Sequence, residues 1–187
     1  MTDAIYYEVY RGHKIEIFTD GNAESPSEWC DNGAFLVHYH RNCWIVNDGV
    51  ITQDKLRLWY QGEKIEQLKD YFIFAVSAYI HGGVRLSLEN TFPADGYGWD
   101  TSHVGAVLVS KKETKSKAGA RTIAQGTVNI WNDYLSGNVY GYVVDGDESC
   151  WGYYGDYDNP KDGGALQAAR ESIDNKAQSI HKKQCTA

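Results

Sequence analysis

Hydrophobic and polar positions alternate along the chain in two distinct ways, and the changes between them predict the order of strands and helices. Ile5–Tyr10 and Lys14–Phe18 are rich in β-branched and aromatic residues on either side of a short glycine turn, which predicts an antiparallel hairpin. Ala34–His40 alternates with a period of two and predicts the next strand. The start of the chain is therefore expected to form β-structure.

A helical period replaces this alternation further along the chain. Apolar positions within Leu56–Phe72 recur at helical spacing after Thr52, whose hydroxyl can cap a helix. Because Gly62 weakens the middle of the segment, one helix or two short ones satisfy the pattern. Strand patterns then return at Ile73–Ile80 and Val84–Leu88, which predict a second hairpin.

The second half of the chain predicts one more buried strand and two long helices. The strand is expected at Val104–Val109, and a helix is expected from about Ala118 to Leu135. The final helix has the clearest pattern, because its apolar residues step by three or four: Leu166, Ala169, Ile173, Ala177 and Ile180. Such a helix can lie across one face of a sheet.

Between these two helices, residues 137–155 carry the strongest hairpin signal. Val139–Val144 is strand-like, Asp145-Gly146 supplies the chemistry of a tight turn, and Cys150–Gly155 returns with a large aromatic area. Core packing is the leading interpretation of these aromatic residues, although exposed Trp and Tyr also anchor protein interfaces.

Together the elements predict an α+β fold. We expect a mainly antiparallel sheet of about six to eight strands, with two or three helices packed on it. At 187 residues, with no internal repeat or linker, the chain is expected to form a single domain over residues 1–187.

Charge and composition narrow the possible functions. The formal net charge of -7 disfavours direct binding to nucleic acid or to an anionic membrane. The start of the chain shows no export signal, and the longest apolar run is too short to span a membrane, so a cytoplasmic location is expected. The four cysteines lack CxxC spacing, which favours thiols over disulfides in that compartment.

Acidic residues are concentrated in a few loops beside large aromatic residues. Such loops can be solvated surface, can bind a divalent metal, or can imitate phosphate in a basic groove of a partner. The candidate partner-binding residues are Glu24, Glu28, Trp29, Asp31, Trp99, Asp100, Asp145, Asp147 and Glu148.

A metal-ligating alternative lies near the third predicted strand. His38 and His40 share one strand face, and Cys43 follows three residues later, so the three side chains are candidate zinc ligands. The spacing matches no common zinc module, and paired strand histidines are usually polar surface. Because the chain also has no nucleophile elbow, HExxH, P-loop or GxGxxG motif, we expect no cofactor, and enzymatic activity is unsupported.

Five blocks of sequence resemble a family of accessory proteins from bacteriophages, prophages and plasmids. The blocks are ESPSEW followed by DN within 24–32, AYIHGG at 78–83, WDTSHVG at 99–105, YLSGNVYGY at 134–142 and ESCWGYYG at 148–155. The chain departs from the family pattern where Cys30 interrupts the first block and where Thr101-Ser102-His103 replaces a small-Gly-Gln step.

The resemblance implies a mobile-element protein that disables host defence. Its expected partner is a host defence protein such as a CRISPR effector or a restriction enzyme, bound through the acidic loops and exposed aromatic residues. That step rests on the gene class rather than on individual residues. The alternatives are a metal-dependent hydrolase or nuclease built on His38, His40 and the carboxylates, and a structural or assembly protein of the virion.

Overall fold

The computed structural model describes residues 3–29, 33–38, 51–89, 92, 101–159 and 163–184, with side chains up to residue 178. Within these ranges the strands are β1 Tyr6–Tyr10, β2 His13–Thr19, β3 Ala34–His38, β4 Tyr71–Ile80, β5 Val84–Leu88, β6 Thr101–Ser110, β7 Val139–Val144 and β8 Glu148–Tyr154. The helices are α1 Pro26–Trp29, α2 Gln53–Tyr60, α3 Lys117–Ser136 and α4 Ala165–Gln184. All strand pairs are antiparallel, which confirms the α+β class.

The two ends of the chain form one compact unit, here called the terminal unit, from residues 1–23 and 137–187. Its sheet has the strand order β1-β2-β7-β8. Helix α4 covers one face, because its apolar stripe packs on inward residues of the two middle strands. The buried residues of this core are Ile15, Ile17, Tyr142, Val144, Ala165, Leu166, Ala169 and Ile173.

Both hairpins of the terminal unit close through turns whose two central residues have positive φ. Arg11 and Gly12 have φ of 49° and 87°, and Asp145 and Gly146 have φ of 53° and 78°. Turns of this kind match the right-handed twist of the flanking strands, and glycine adopts such a conformation without a steric cost. The predicted hairpins at both places are therefore confirmed.

Residues 24–136 form the second compact unit, here called the central unit. Its sheet has the order β3-β6-β4-β5, and α3 packs on one face around Phe74, Val107 and Trp131. On the other face, α2 and a 3₁₀ turn at Glu66–Leu68 pack against β3 and β6. Residues 104–109 of β6 are buried without interruption, as expected for a strand that is covered on both sides.

The structure differs from the sequence-based prediction in three respects. Ala177, expected in the apolar stripe of α4, is exposed, because the part of α4 that packs on the sheet ends near Ile173. The eight strands form two sheets of four, whereas a single larger sheet was expected. Phe72 lies in β4, whereas the periodicity placed it in a helix, because α2 ends at Tyr60 and the apolar run from Tyr71 pairs with β6. The prediction of a single domain stays a prediction. None of the described helices combines the length and apolar character that a membrane span requires.

Candidate functional site

In β1 one charged side chain points inward between two tyrosines, while two apolar side chains point outward. Tyr7 and Val9 point away from α4 and are 73% and 72% exposed, whereas Glu8 points toward the helix. A strand at the surface normally turns its apolar residues inward and its charged residues outward. The two exposed apolar side chains of β1 therefore lie on the face of the terminal sheet opposite α4.

An ion pair explains why Glu8 can point inward. Arg170 of α4 donates from Nε to Glu8 Oε1 and from Nη2 to Glu8 Oε2, both at 2.7 Å, and Tyr6 donates its hydroxyl proton to Oε2 at 3.1 Å. The hydrogen bonds from Arg170 hold the pKa of Glu8 below its ordinary value, because they favour the charged carboxylate. This two-point pair satisfies the inward carboxylate, and Tyr6 and Tyr10 on the same side of β1 pack on the core beside it.

Trp151 of β8 also lies on the face opposite α4, because the pairing of β7 with β8 is irregular at this point. Tyr140 pairs with Tyr153 and Tyr142 pairs with Cys150, so two residues of β8 stand opposite the single residue Gly141. The indole ring lies over Gly141, where an added Cβ would come within 2.2 Å of it. Its centroid lies 6.1 Å from the ring centroid of Phe18, and 47% of the Trp151 side chain is still exposed.

These side chains form a mixed surface on the terminal unit, in which Glu16 of β2 lies between Tyr7 of β1 and Val143 of β7. We call it the open face and define it as Tyr7, Val9, Phe18, Val143 and Trp151. Tyr7 pairs with Glu16, Glu16 with Val143 and Phe18 with Gly141, so the residues share one side of adjacent strands. Lys14 and Glu16 add one ion pair at 2.8 Å. Exposed Tyr and Trp beside a few polar groups are typical of protein interfaces rather than of catalytic sites.

The acidic turn between β7 and β8 makes hydrogen bonds within the terminal unit. Asp145 Oδ2 lies 2.7 Å from His13 Nδ1, and Asp145 Oδ1 accepts a hydrogen bond from the backbone N–H of Lys14 at 2.8 Å. The contact with His13 is the main reason why the pKa of Asp145 is lowered. Asp147 is exposed at the same turn.

Glu148 is paired in a similar way. Its carboxylate accepts hydrogen bonds from Lys176 Nζ at 2.5 Å and from Ser172 Oγ at 2.7 Å, both on α4. The Lys176 contact, followed by the Ser172 contact, lowers the pKa of Glu148. Of the three carboxylates predicted at this turn, two therefore hold the terminal unit together, and Asp147 is the best placed to meet a partner.

Other predicted partner residues lie in the central unit. Helix α1 begins at Pro26, and the preceding Ser25 accepts a hydrogen bond at its Oγ from the Ser27 N–H at 3.4 Å, as serines before a helix often do. The helix carries Trp29, which is 43% exposed, and its neighbour Glu28 is exposed, as is Glu24 before the helix. Asp31, Trp99 and Asp100 lie outside the described residues.

The predicted zinc ligands are only partly within the described chain. His38 ends β3, its Nδ1 is buried without a hydrogen-bond partner among the described residues, and burial lowers its pKa. His40 and Cys43 lie outside the described residues. Elsewhere in the described ranges, no three His, Cys, Asp or Glu side chains are grouped as a metal site. Of the cysteines, Cys150 is a free, exposed thiol, and the other three are not described.

The sequence analysis missed Tyr7 and Val9 and assigned Trp151 mainly to the core. One signal was available: Glu8 is the only charged residue of a strand that is otherwise apolar or aromatic, so one face had to carry a charge. Its partner Arg170 is 162 residues away, and sequence spacing does not reveal such a pair. Comparison of the chain with family models, curated proteins and solved structures found no match.

Proposed function

We propose that this protein is a non-enzymatic accessory protein of a mobile element that binds and inhibits a host defence nuclease complex in the host cytoplasm. The observation that carries the protein-binding part is the open face, where Tyr7, Val9 and Trp151 are exposed together on one sheet. The nature of the partner, a CRISPR effector or a restriction enzyme, is supported by the sequence resemblance alone.

The open face suits a partner that presents an apolar surface with a few polar groups. Trp and Tyr contribute a large contact area while losing little side-chain entropy, and they are the residues that most often dominate binding energy. The ion pair between Lys14 and Glu16 lies within this surface, so these two charges compensate each other. Contact at the open face is therefore expected to depend mainly on shape and burial, and only weakly on salt.

Acidic residues contribute to the proposal in a narrower way than the sequence suggested. Asp145 and Glu148 are paired with His13 and Lys176, so imitation of phosphate at this turn rests mainly on Asp147. Glu24 and Glu28 offer a second acidic segment on the central unit. Charge reversal at Asp147, Glu24 and Glu28 tests this part of the proposal, since it should weaken binding to a basic groove.

A capture experiment with matched tryptophan variants tests the proposed binding surface. Tagged wild-type protein, Trp151→Ala and Trp29→Ala are used to capture partners from host lysate, and the eluates are compared by quantitative mass spectrometry. Because the two tryptophans are similarly exposed, at 47% and 43%, the pair separates the open face from α1. We expect a nuclease subunit to be lost from the Trp151→Ala eluate and retained by Trp29→Ala.

Loss of the nuclease from the Trp29→Ala eluate alone would indicate that the partner binds at α1. Unchanged capture by both variants would show that neither tryptophan is needed for binding. Metal analysis of the purified chain belongs to the same experiment. A bound metal without any captured nuclease would favour the hydrolase alternative, and His38→Ala and His40→Ala would then be tested for loss of that metal.

A further inference from the structure

Strand β1 is the end strand of the terminal sheet, with no described strand paired on its outer side. We infer that a second copy of this chain pairs with it, so that two β1 strands run antiparallel and join the two sheets into one of eight strands. This inference concerns self-association and goes beyond the proposed binding of a nuclease.

The backbone of β1 presents hydrogen-bonding groups toward this outer side. Tyr10 and His13 flank a two-residue turn, so they exchange hydrogen bonds with each other as the first pair of the hairpin. Bonding groups alternate along an antiparallel pair, so those of Glu8 point toward β2 and those of Tyr7 and Val9 point away from it. Each β1 strand therefore offers two N–H donors and two carbonyl acceptors at its outer edge.

The strand has only one of several features that usually prevent pairing of sheet edges. Proteins protect such edges with lysine, proline, bulges or a charge that points inward. Strand β1 contains neither lysine nor proline, and its register with β2 is continuous over all five pairs from Tyr6 to Tyr10. Its one inward charge, Glu8, is already neutralised by Arg170.

A second copy fits this edge because the strand is complementary to itself. In an antiparallel pair centred on Glu8, Tyr7 of each copy lies opposite Val9 of the other, so all outward backbone groups are satisfied and apolar side chains meet. Such an interface is symmetric and closes at two copies. The two-fold axis stands perpendicular to the sheet, so both open faces lie on the same side of the dimer.

Arg170 is expected to support this dimer, because the carboxylate of Glu8 lies at the centre of the strand pair. Glu8 of one copy lies opposite Glu8 of the other, and like charges directly opposite each other oppose strand pairing. Each carboxylate, however, already accepts two hydrogen bonds from its own Arg170. Removal of this guanidinium is therefore expected to weaken the dimer specifically.

Light scattering during size-exclusion chromatography, over micromolar to submillimolar concentrations, tests the inference on the purified chain. Wild type should have twice the chain mass of 21.0 kDa. Val9→Pro removes an outward N–H while the hairpin bonds to β2 remain, so it should have the monomer mass. Val9→Thr, which keeps that N–H, should remain dimeric, and circular dichroism should show native β-structure in both variants.

A second pair of variants distinguishes a dimer that forms through β1 from a dimer that forms through another surface. Arg170→Met leaves the two facing carboxylates without their cations and should weaken association by about tenfold. Lys176→Met, which removes the cation paired with Glu148 on the opposite edge of the sheet, should not weaken it. A monomeric wild type, a dimer that persists in Val9→Pro, or equal effects of the two Met substitutions would overturn the inference. Because no partner is present, the outcome does not depend on the proposed function.

Discussion

The two sheets of this protein have the same number of strands but differ in how their faces are covered. The central sheet is covered on both faces, by α3 on one side and by α2 with the 3₁₀ turn on the other. The terminal sheet is covered by α4 on one side, while its other side exposes Tyr7, Val9 and Trp151. Burial of the second face would stabilise the terminal unit further, and under the proposed function this face is the surface that a partner covers.

The difference is visible in the strands themselves. Strand β6 is apolar and buried over six consecutive residues, which suits a central strand between two layers. In β1, by contrast, exposed and partly buried positions alternate along the whole strand. We therefore propose that the central sheet mainly stabilises the protein and that the terminal sheet mainly serves recognition, and each of the following predictions tests this division.

Truncation of a large side chain in the central core should have the largest effect on stability. Phe74 is 2% exposed and packs between the central sheet and α3. Phe74→Ala is expected to lower the free energy of unfolding by about 3–5 kcal/mol, measured by urea denaturation, because it removes buried area and leaves a cavity. A loss no larger than that of an open-face variant would contradict the division.

Two identical glycine substitutions should have opposite effects. Gly141→Ala places a methyl group 2.2 Å from the Trp151 ring and should lower the free energy of unfolding by about 1–3 kcal/mol. Gly126→Ala lies in helix α3 with no atom within 4 Å of the new Cβ, so it should stabilise by about 0.5–1 kcal/mol. Denaturation midpoints measure both changes, and destabilisation by Gly126→Ala would contradict the packing described for α3.

The Glu8 ion pair should give the terminal unit a dependence on pH. Since the folded pKa of Glu8 is lowered, its stabilising effect is complete above the ordinary value of 4.5 and is lost as the pH falls through the folded pKa. Arg170→Met should lower the free energy of unfolding by about 1 kcal/mol at neutral pH, a value limited by solvent screening of the partly exposed Arg170.

The same substitution should flatten the loss of stability in acid. Denaturation of wild type and Arg170→Met across the acidic range measures this, because the wild type loses the ion pair there and the variant has none to lose. Lys111→Met, which removes a cation of the central unit, serves as a control and should leave the acid dependence unchanged. Parallel acid profiles of wild type and Arg170→Met would contradict the account of the Glu8 pair.

The smallest effect on stability is expected at the open face itself. Val9 is 72% exposed, and threonine keeps both its β-branched shape and its backbone N–H. Val9→Thr should therefore change the free energy of unfolding by less than about 0.5 kcal/mol. A larger loss in urea denaturation would show that Val9 contributes to folding.

Local chemistry explains which parts of the fold could be predicted from the sequence. The Asp145-Gly146 turn, the Thr52 cap and the first half of the apolar stripe of α4 depend on neighbouring residues, and each appears where it was expected. The two-sheet arrangement depends on pairs that are distant in sequence, such as β2 with β7 and β3 with β6. Short apolar runs do not specify these partners, so the sequence could not divide the strands correctly.

The candidate site was predictable only in part, for a related reason. The sequence showed the carboxylates of Asp145 and Glu148 but not the distant side chains of His13 and Lys176 that pair with them. It also showed that Trp151 is a large aromatic residue, but its exposure depends on the irregular pairing opposite Gly141. Both properties arise from tertiary contacts, which periodicity does not encode.

Oxidative footprinting of side chains, with and without the captured nuclease complex, tests the central claim most directly. Hydroxyl radicals oxidise exposed Tyr and Trp, and mass spectrometry reports the extent at each residue. We expect Tyr7 and Trp151 to be protected in the complex, while Trp29 is oxidised to the same extent with and without it. Protection of Trp29 with unchanged oxidation of Tyr7 and Trp151 would contradict the assignment of recognition to the open face.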